Sequence, residues 1–248
     1  VKTKNNAKIL MYDIEITGIL GWVYGMYDTR VHKVERQPTM LCFSYQWYGD
    51  KKIHHENLSN QTEEQLTEKL RDLFSEADIL VAHNANRFDN KVATGKFLQF
   101  NLLPPSPYKT VDTLRVARGV AKLPSNSLDA LCDLFGIGRK SSTTHATLWY
   151  DCINGDKKAW DKMRIYNNQD VNLLTLLYEK LLPYTKNHPN IGDINQLDGV
   201  CPKCNSTQLE RRGFNTRRNG KVQRYQCQNC GGWCNESNIK KDGRTVNA

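Results

Sequence analysis

"KKAWDKMRIYNNQDVNLLTLLYEKLLPY", residues 157–184, is the stretch on which the fold turns. Met163, Tyr166, Leu173, Leu174, Leu177 and Leu181 recur at three- and four-residue steps, the spacing of an amphipathic helix with an apolar stripe. Asp170 falls on that stripe, and Tyr166, one turn earlier, points along the same face. A carboxylate facing a core is costly unless something neutralises it, so the rest of the chain must supply a partner. Two further stretches suggest which. "MYDIE" (11–15) sets Asp13 and Glu15 two apart near the end of an apolar strand, hence on one face. "AHNANRFDN" (82–90) sets Asp89 just after another apolar strand, "DILVA". Four converging carboxylates are hard oxygen ligands suited to Mg²⁺ or Mn²⁺, and two such ions about 4 Å apart clamp a phosphate during in-line displacement.

Around these stretches the first 184 residues alternate strand-like and helix-like signals, which indicates an α/β domain. "KILMYDI" (8–14), "MLCFSYQWY" (40–48) and the short "KKIHHE" (51–56) read as strands. "TEEQLTEKLRDLF" (62–74) reads as a helix, "DILVAHN" as a strand, "FDNKVATGKFLQF" (88–100) as a helix and "KTVDT" (109–113) as the last strand, after which the chain turns helical. Residues 17–39, rich in Gly and aromatics, are too long for a hairpin turn and read as a functional loop. Trp22, Tyr24 and Tyr27 there could stack on terminal bases or simply pack over the sheet edge. Asp112 reads as a helix cap, His83 as a hydrogen-bonded structural residue, and His54 and His55 as surface strand residues. "TKNHPNIGDINQLDGV" (185–200) has a linker's composition. The expected layout is a domain over 1–184, a linker over 185–200 and a small module over 201–248.

In order and combination the acidic motifs resemble the DEDD superfamily of 3′-to-5′ exonucleases, whose motifs are D-x-E, N-x2-3-[FY]-D and Y-x3-D. They stand here as Asp13-Ile14-Glu15, Asn84 to Asp89, and Tyr166 to Asp170. A tyrosine in the third motif is the mark of the DEDDy branch, and "KTVDTLRVAR" with "NSLDALCDLFGIGRK" is similar to stand-alone phage enzymes. The resemblance spans about residues 8–182. It implies a ribonuclease H-like mixed sheet, five strands flanked by helices, with the second strand antiparallel. It also implies that Asp13, Glu15, Asp89 and Asp170 hold two Mg²⁺ or Mn²⁺ ions while Tyr166 orients or helps deprotonate the attacking water. Asn84 and Phe88 would contact substrate near the scissile phosphate. Relatives carry Thr or Ser directly after the first-motif Glu; this chain has Ile16 and then Thr17 at the place where the terminal sugar would lie.

The formal charge of +9 is unevenly spread. Residues 1–200 hold 25 Lys and Arg against 23 Asp and Glu, whereas 201–248 hold 10 against 3. That tail contains "CPKC" (Cys201, Cys204) and "CQNC" (Cys227, Cys230), two knuckles whose four thiolates can close a tetrahedron around one structural Zn²⁺. A segment this short needs such a staple, and the whole tail resembles a zinc ribbon. Cys234 is a fifth cysteine nearby, read as a bystander, and Cys42, Cys132 and Cys152 read as buried thiols. Between the knuckles Arg211, Arg212, Arg217, Arg218, Lys221 and Arg224 alternate with Phe214 and Tyr225. Phosphate contact and base stacking both draw on such a composition.

No apolar run approaches a bilayer span, and "VKTKNNAKIL" lacks a signal peptide's apolar segment. The expectation is a cytoplasmic protein, in the host cytoplasm if phage-encoded, with reduced cysteines. The function expected is a two-metal exonuclease releasing nucleoside 5′-monophosphates from single-stranded nucleic acid, aided by the ribbon. DNA is favoured over RNA, although the residues themselves leave the sugar open. The alternative is a non-catalytic nucleic-acid-binding or adaptor protein whose ribbon docks a replication or transcription partner.

Overall fold

The computed structural model describes residues 6–139, 145–218 and 220–239. Strand β1 (Ile9–Ile16) lies at the centre of a five-stranded sheet. It pairs antiparallel with β4 (Met40–Trp47) and parallel with β6 (Ile79–Ala82). Outside these lie β5 (His54–Asn57), antiparallel to β4, and β7 (Lys109–Asp112), parallel to β6, giving the order β5-β4-β1-β6-β7. This is the mixed sheet that the resemblance implies, with the second of its five strands antiparallel.

The alternation of β1 decides what faces what. Leu10, Tyr12 and Ile14 pack with Leu66, Leu70 and Phe74 of α1 (Glu63–Glu76) and Phe97 of α2 (Asp89–Gln99). Ile9 and Met11 point the other way, onto Val171, Leu174 and Tyr178 of α6 (Lys157–Leu181). Asp13 and Glu15 continue that second face. Helices α3 (Thr113–Val120) and α4 (Leu128–Leu134) press on the outer side of α6 through Ala117, Leu128, Leu131, Leu173 and Leu177. α5 (His145–Ile153) packs beside its first turns, where Cys152 and Leu148 meet Ala159 and Met163.

Residues 17–39 form a two-stranded arm, β2 (Leu20–Trp22) against β3 (Lys33–Arg36), and not a cover for the sheet edge. Trp22, Tyr24, Met26 and Tyr27 are exposed, the last three by at least 88%. At Gly21 a Cβ would meet Val31 at 2.4 Å and the Lys33 carbonyl at 2.6 Å, so the strands can cross there only at glycine. The base of the arm is fixed on both sides. Thr17 N–H donates to the Thr39 carbonyl at 2.9 Å, and Thr39 N–H returns to Thr17 Oγ1 at 2.9 Å. Lys96, paired with Glu63 at 2.7 Å, donates to the Pro38 carbonyl, while Glu63 accepts from Met40 N–H.

The segment 185–200 differs from the linker its composition suggests. It contains α7 (Ile191–Ile194), capped by Asn190, and Ile191 is buried in the same cluster as Ile9, Met11 and Tyr178. Cys204 and Cys230 pack against that cluster too. Ile191 N–H donates to the Pro202 carbonyl at 2.8 Å, and Lys203 Nζ donates to the Pro183 carbonyl at 2.7 Å. A few apolar side chains in a polar stretch are enough to weld the knuckle to the sheet. Beyond it β8 (Leu209–Arg217), β9 (Gly220–Cys227) and β10 (Trp233–Asn235) make a second sheet in the order β10-β9-β8. Among the described residues no helix is long and apolar enough to cross a membrane.

If Ile191 belongs to the core, Ile191→Ala costs about 2–4 kcal/mol of unfolding free energy in a denaturant titration. A residue of a solvated linker would move it by less than about 0.5 kcal/mol.

Candidate active site

Asp13 and Glu15 lie side by side across from Ser44 and Cys42 of β4, and Asp170 reaches them from the middle of α6. One carboxylate oxygen from each of the three lies within 4.8 Å of the others. Asp170 is 2% exposed, whereas Asp13 and Glu15 are half-buried. Such crowding needs donors, and Asn167 supplies one. Its fully buried amide donates at 2.7 Å to Asp13 Oδ2 and at 3.3 Å to the Asp13 carbonyl, and its own oxygen faces the Cys42 thiol at 3.9 Å. Sequence reasoning passed over Asn167. The signal was a second polar residue three places before Asp170, hence on the same helical face.

Tyr166 is buried, with its ring edge-on to Trp149 at 5.8 Å. Burial, and then the charges of Asp170, Glu15 and Asp13, push its phenol far above the ordinary value. A phenol so placed keeps its proton and can donate a hydrogen bond toward the carboxylates or a water between them.

Asp89 is not part of the trio. It opens α2, is 2% exposed and accepts from Ile14 N–H at 3.3 Å. Burial raises its carboxyl to about 7, with the charge of Asp112 adding, while the N–H groups of Asp89 and Ile14 pull the other way. Asp112 does cap α3, through Arg115 N–H at 3.2 Å, and also takes Asn84 N–H and Asn86 N–H at 3.1 Å each. It thus holds the turn in which Asn84 adopts a left-handed φ of 70°, a conformation Asn tolerates better than most residues.

The remaining expected residues are distributed more widely. Phe88 is 39% exposed at the same turn, and Ile16 is half-buried. Thr17 is buried with its hydroxyl accepting from Thr39, at the base of the arm. His83 contacts Thr113 Oγ1 and the Asn126 carbonyl through its two nitrogens at 2.9 Å each, a structural role. His55 is not the surface residue expected. It meets Ser44 Oγ at 2.9 Å, Ser44 donates to Asn168 at 2.7 Å, and burial lowers the imidazole to about 4.

At the other end of β1, Cys201, Cys204, Cys227 and Cys230 bring their sulfurs within 4.8 Å of one another. Two of the separations are 3.8 and 3.6 Å. A tetrahedron with ~2.3 Å metal–sulfur bonds has edges of about 3.8 Å, so the donor set and its spacing fit a zinc ribbon. Cys234 lies outside that group, buried beside Tyr225 and Ile239. Arg211, Arg212, Arg218 and Lys221 are exposed on the β8–β9 hairpin, with Arg212 paired to Glu210 at 3.0 Å; the side chain of Arg217 lies outside the described residues. Arg224 braces the strands, donating to the Arg212 carbonyl and lying over Trp233 at 4.9 Å.

A profile described as the RNase_H superfamily matches residues 10–182. A curated relative, "DNA polymerase III PolC-type" of Ureaplasma parvum serovar 3, is 24% identical over an alignment of 146 residues that covers 53% of this chain and 10% of that protein. The chain therefore spans about a tenth of that relative's length. Among solved structures, the family B DNA polymerase of the hyperthermophilic archaeon Pyrobaculum calidifontis superposes with a TM-score of 0.56 at 16% identity. It covers 72% of this chain and 25% of its own. That likeness is one of fold.

Because Asp89 binds its proton more tightly folded than unfolded, its contribution to stability is complete below the ordinary carboxylate range and is lost as pH rises through about 7. In EDTA, the unfolding free energy of Asp89→Asn, which cannot titrate, falls less between about pH 5 and pH 8.5 than that of the unaltered chain. Equal pH dependence in the two proteins would contradict a buried, proton-holding carboxyl.

Proposed function

The chain belongs to the RNase H superfamily, and from that premise we propose that it is a two-metal 3′-to-5′ exonuclease acting on single-stranded nucleic acid. The observation that carries this reading is the meeting of Asp13, Glu15 and Asp170 within 4.8 Å, with Tyr166 one turn away on the same helix face. The polymerase names of the matched proteins support DNA over RNA as substrate.

In this reading Asp13, Glu15, Asp89 and Asp170 hold two Mg²⁺ or Mn²⁺ ions, the DEDDy pattern, and the meeting of Asp13, Glu15 and Asp170 supports it. Bound there, divalent ions would polarise the phosphate and generate a nucleophile from water. Asn167 keeps Asp13 turned toward the cluster. Tyr166 donates its proton in a hydrogen bond that fixes the position of the attacking water. Asn84 and Phe88, on the turn held by Asp112, and Ile16, at the end of β1, contact the terminal nucleotide. The division into an exonuclease body over 1–184 and a Zn²⁺-bearing ribbon over 201–248 belongs to the same proposal, with the ribbon gripping the strand through Arg211, Arg212, Arg218 and Lys221.

The test is digestion of matched, 5′-labelled single-stranded DNA and RNA with Mg²⁺ or Mn²⁺, and with EDTA. Stepwise shortening with release of nucleoside 5′-monophosphates, abolished by EDTA, is expected. Internal cuts, or no cleavage with either metal, would sink the reading. Asp13→Asn and Asp170→Asn should each abolish hydrolysis while nucleic-acid binding survives, since each removes a charged metal ligand. Tyr166→Phe removes only a hydroxyl and should slow turnover by about 10²-fold with little change in KM. A change in KM alone would make Tyr166 a binding residue.

A further inference from the structure

Beside the carboxylates lies a cavity of about 810 Å³ that the function described above does not use. Its walls come from the base of the two-stranded arm, β4 and the edge strand β5, and the corner between α5 and α6. Arg36 from β3 and Lys157 and Arg164 from the first turns of α6 converge on it. Among the described residues that line it, the one acid is Asp161, 3.6 Å from Arg164. Trp160, half-buried against the cluster of Leu41 and Cys152, also lines this space.

The cavity shares a wall with the candidate active site. Leu41 and Cys152 on its lining share one buried cluster with Tyr166. Thr39 on its rim is bonded in both directions to Thr17, two residues beyond Glu15. It therefore lies at the same end of the sheet as Asp13 and Glu15 and against α6. Three cations with one flat aromatic suit a phosphate backbone whose bases are unpaired, because only an unstacked base offers a face to an indole. Neither a carboxylate ligand nor an apolar molecule would use both features.

We propose that this groove is the track for the substrate strand upstream of the scissile phosphate. Arg36, Lys157 and Arg164 neutralise backbone phosphates, and Trp160 stacks on a base. The inference rests on the exonuclease reading and adds to it: the ligand is one polynucleotide strand, bound through phosphates and stacking without base specificity.

The experiment uses the full chain and measures binding of a fluorescent decathymidylate in EDTA by anisotropy, so that its readout does not depend on catalysis. For the triple variant Arg36→Ala, Lys157→Ala, Arg164→Ala, affinity should fall at least tenfold. The slope of log K against log salt should flatten by about 2, from about 0.7 per lost phosphate contact on a single strand. Trp160→Leu, which keeps an apolar side chain, should cost about tenfold with an unchanged salt slope. In metal-supported digestion, KM for the decathymidylate should rise relative to KM for a dithymidylate, which is too short to fill the track. Unchanged affinity and slope in the triple variant would overturn the proposal, as would an equal rise in both KM values, which would put these residues at the scissile bond. If the unaltered chain cleaves nothing with Mg²⁺ or Mn²⁺, the exonuclease reading fails, while the binding comparison still decides the groove.

Discussion

Three carboxylates within 4.8 Å of one another are a repulsion that the rest of this protein is built to contain. Containment is done with donors. Asn167 gives its amide to Asp13, Ile14 gives its backbone N–H to Asp89, and Asp112 is occupied by three backbone N–H groups of its own. Where donors run short, protons serve, and both the Tyr166 phenol and the Asp89 carboxyl are driven toward their neutral forms by burial. The wall can bear this only because α6 is clamped on two sides. Val171 and Leu174 lie on the sheet, and Leu173 and Leu177 lie under α3 and α4. Asp170 has no freedom to swing away from its neighbours.

Much of this was legible from residue spacing, since the two-residue period of β1 and the three-to-four period of α6 each fix a face. Asp13 and Glu15 therefore had to look at the helix that carries Asp170. The cysteine spacing was equally readable, because four thiols in two knuckles have few other ways to meet. Asn167 was not readable: an Asn inside a helix looks like a solvated residue until the strand opposite it is known. His55 was misjudged for a related reason. It sits in an edge strand, but its imidazole turns inward to Ser44, and the alternation of four residues is too short to show which face is covered. Residues 185–200 read as a linker by composition, yet Ile191, Ile194 and Val200 are enough to seat them on the body.

The sheet has two working ends. The C-terminal end of β1 carries the carboxylates, the projecting arm and the basic groove, so everything that would touch a strand terminus lies there. The arm stands clear of the sheet, yet its base is locked by Thr17, Thr39 and Lys96. Movement at its aromatic tip therefore need not disturb Glu15. The opposite end, at Ile9, carries the cysteine knuckle, most of a strand's length from the carboxylates.

That second end bears on how the protein comes into being. Ile9 opens β1, yet the cluster around it is closed by Ile191 and by Cys204 and Cys230, which the ribosome delivers long after the catalytic strand. Contacts so distant in sequence form late, and sulfur ligands settle only when a metal draws them together. A newborn chain must then wait with the cluster around Ile9 and Tyr178 incompletely covered until its second knuckle is in place. If those four thiols take a metal, its scarcity would show as unfinished, aggregation-prone chains and a smaller number of folded molecules, with the carboxylate end of each folded copy unaltered.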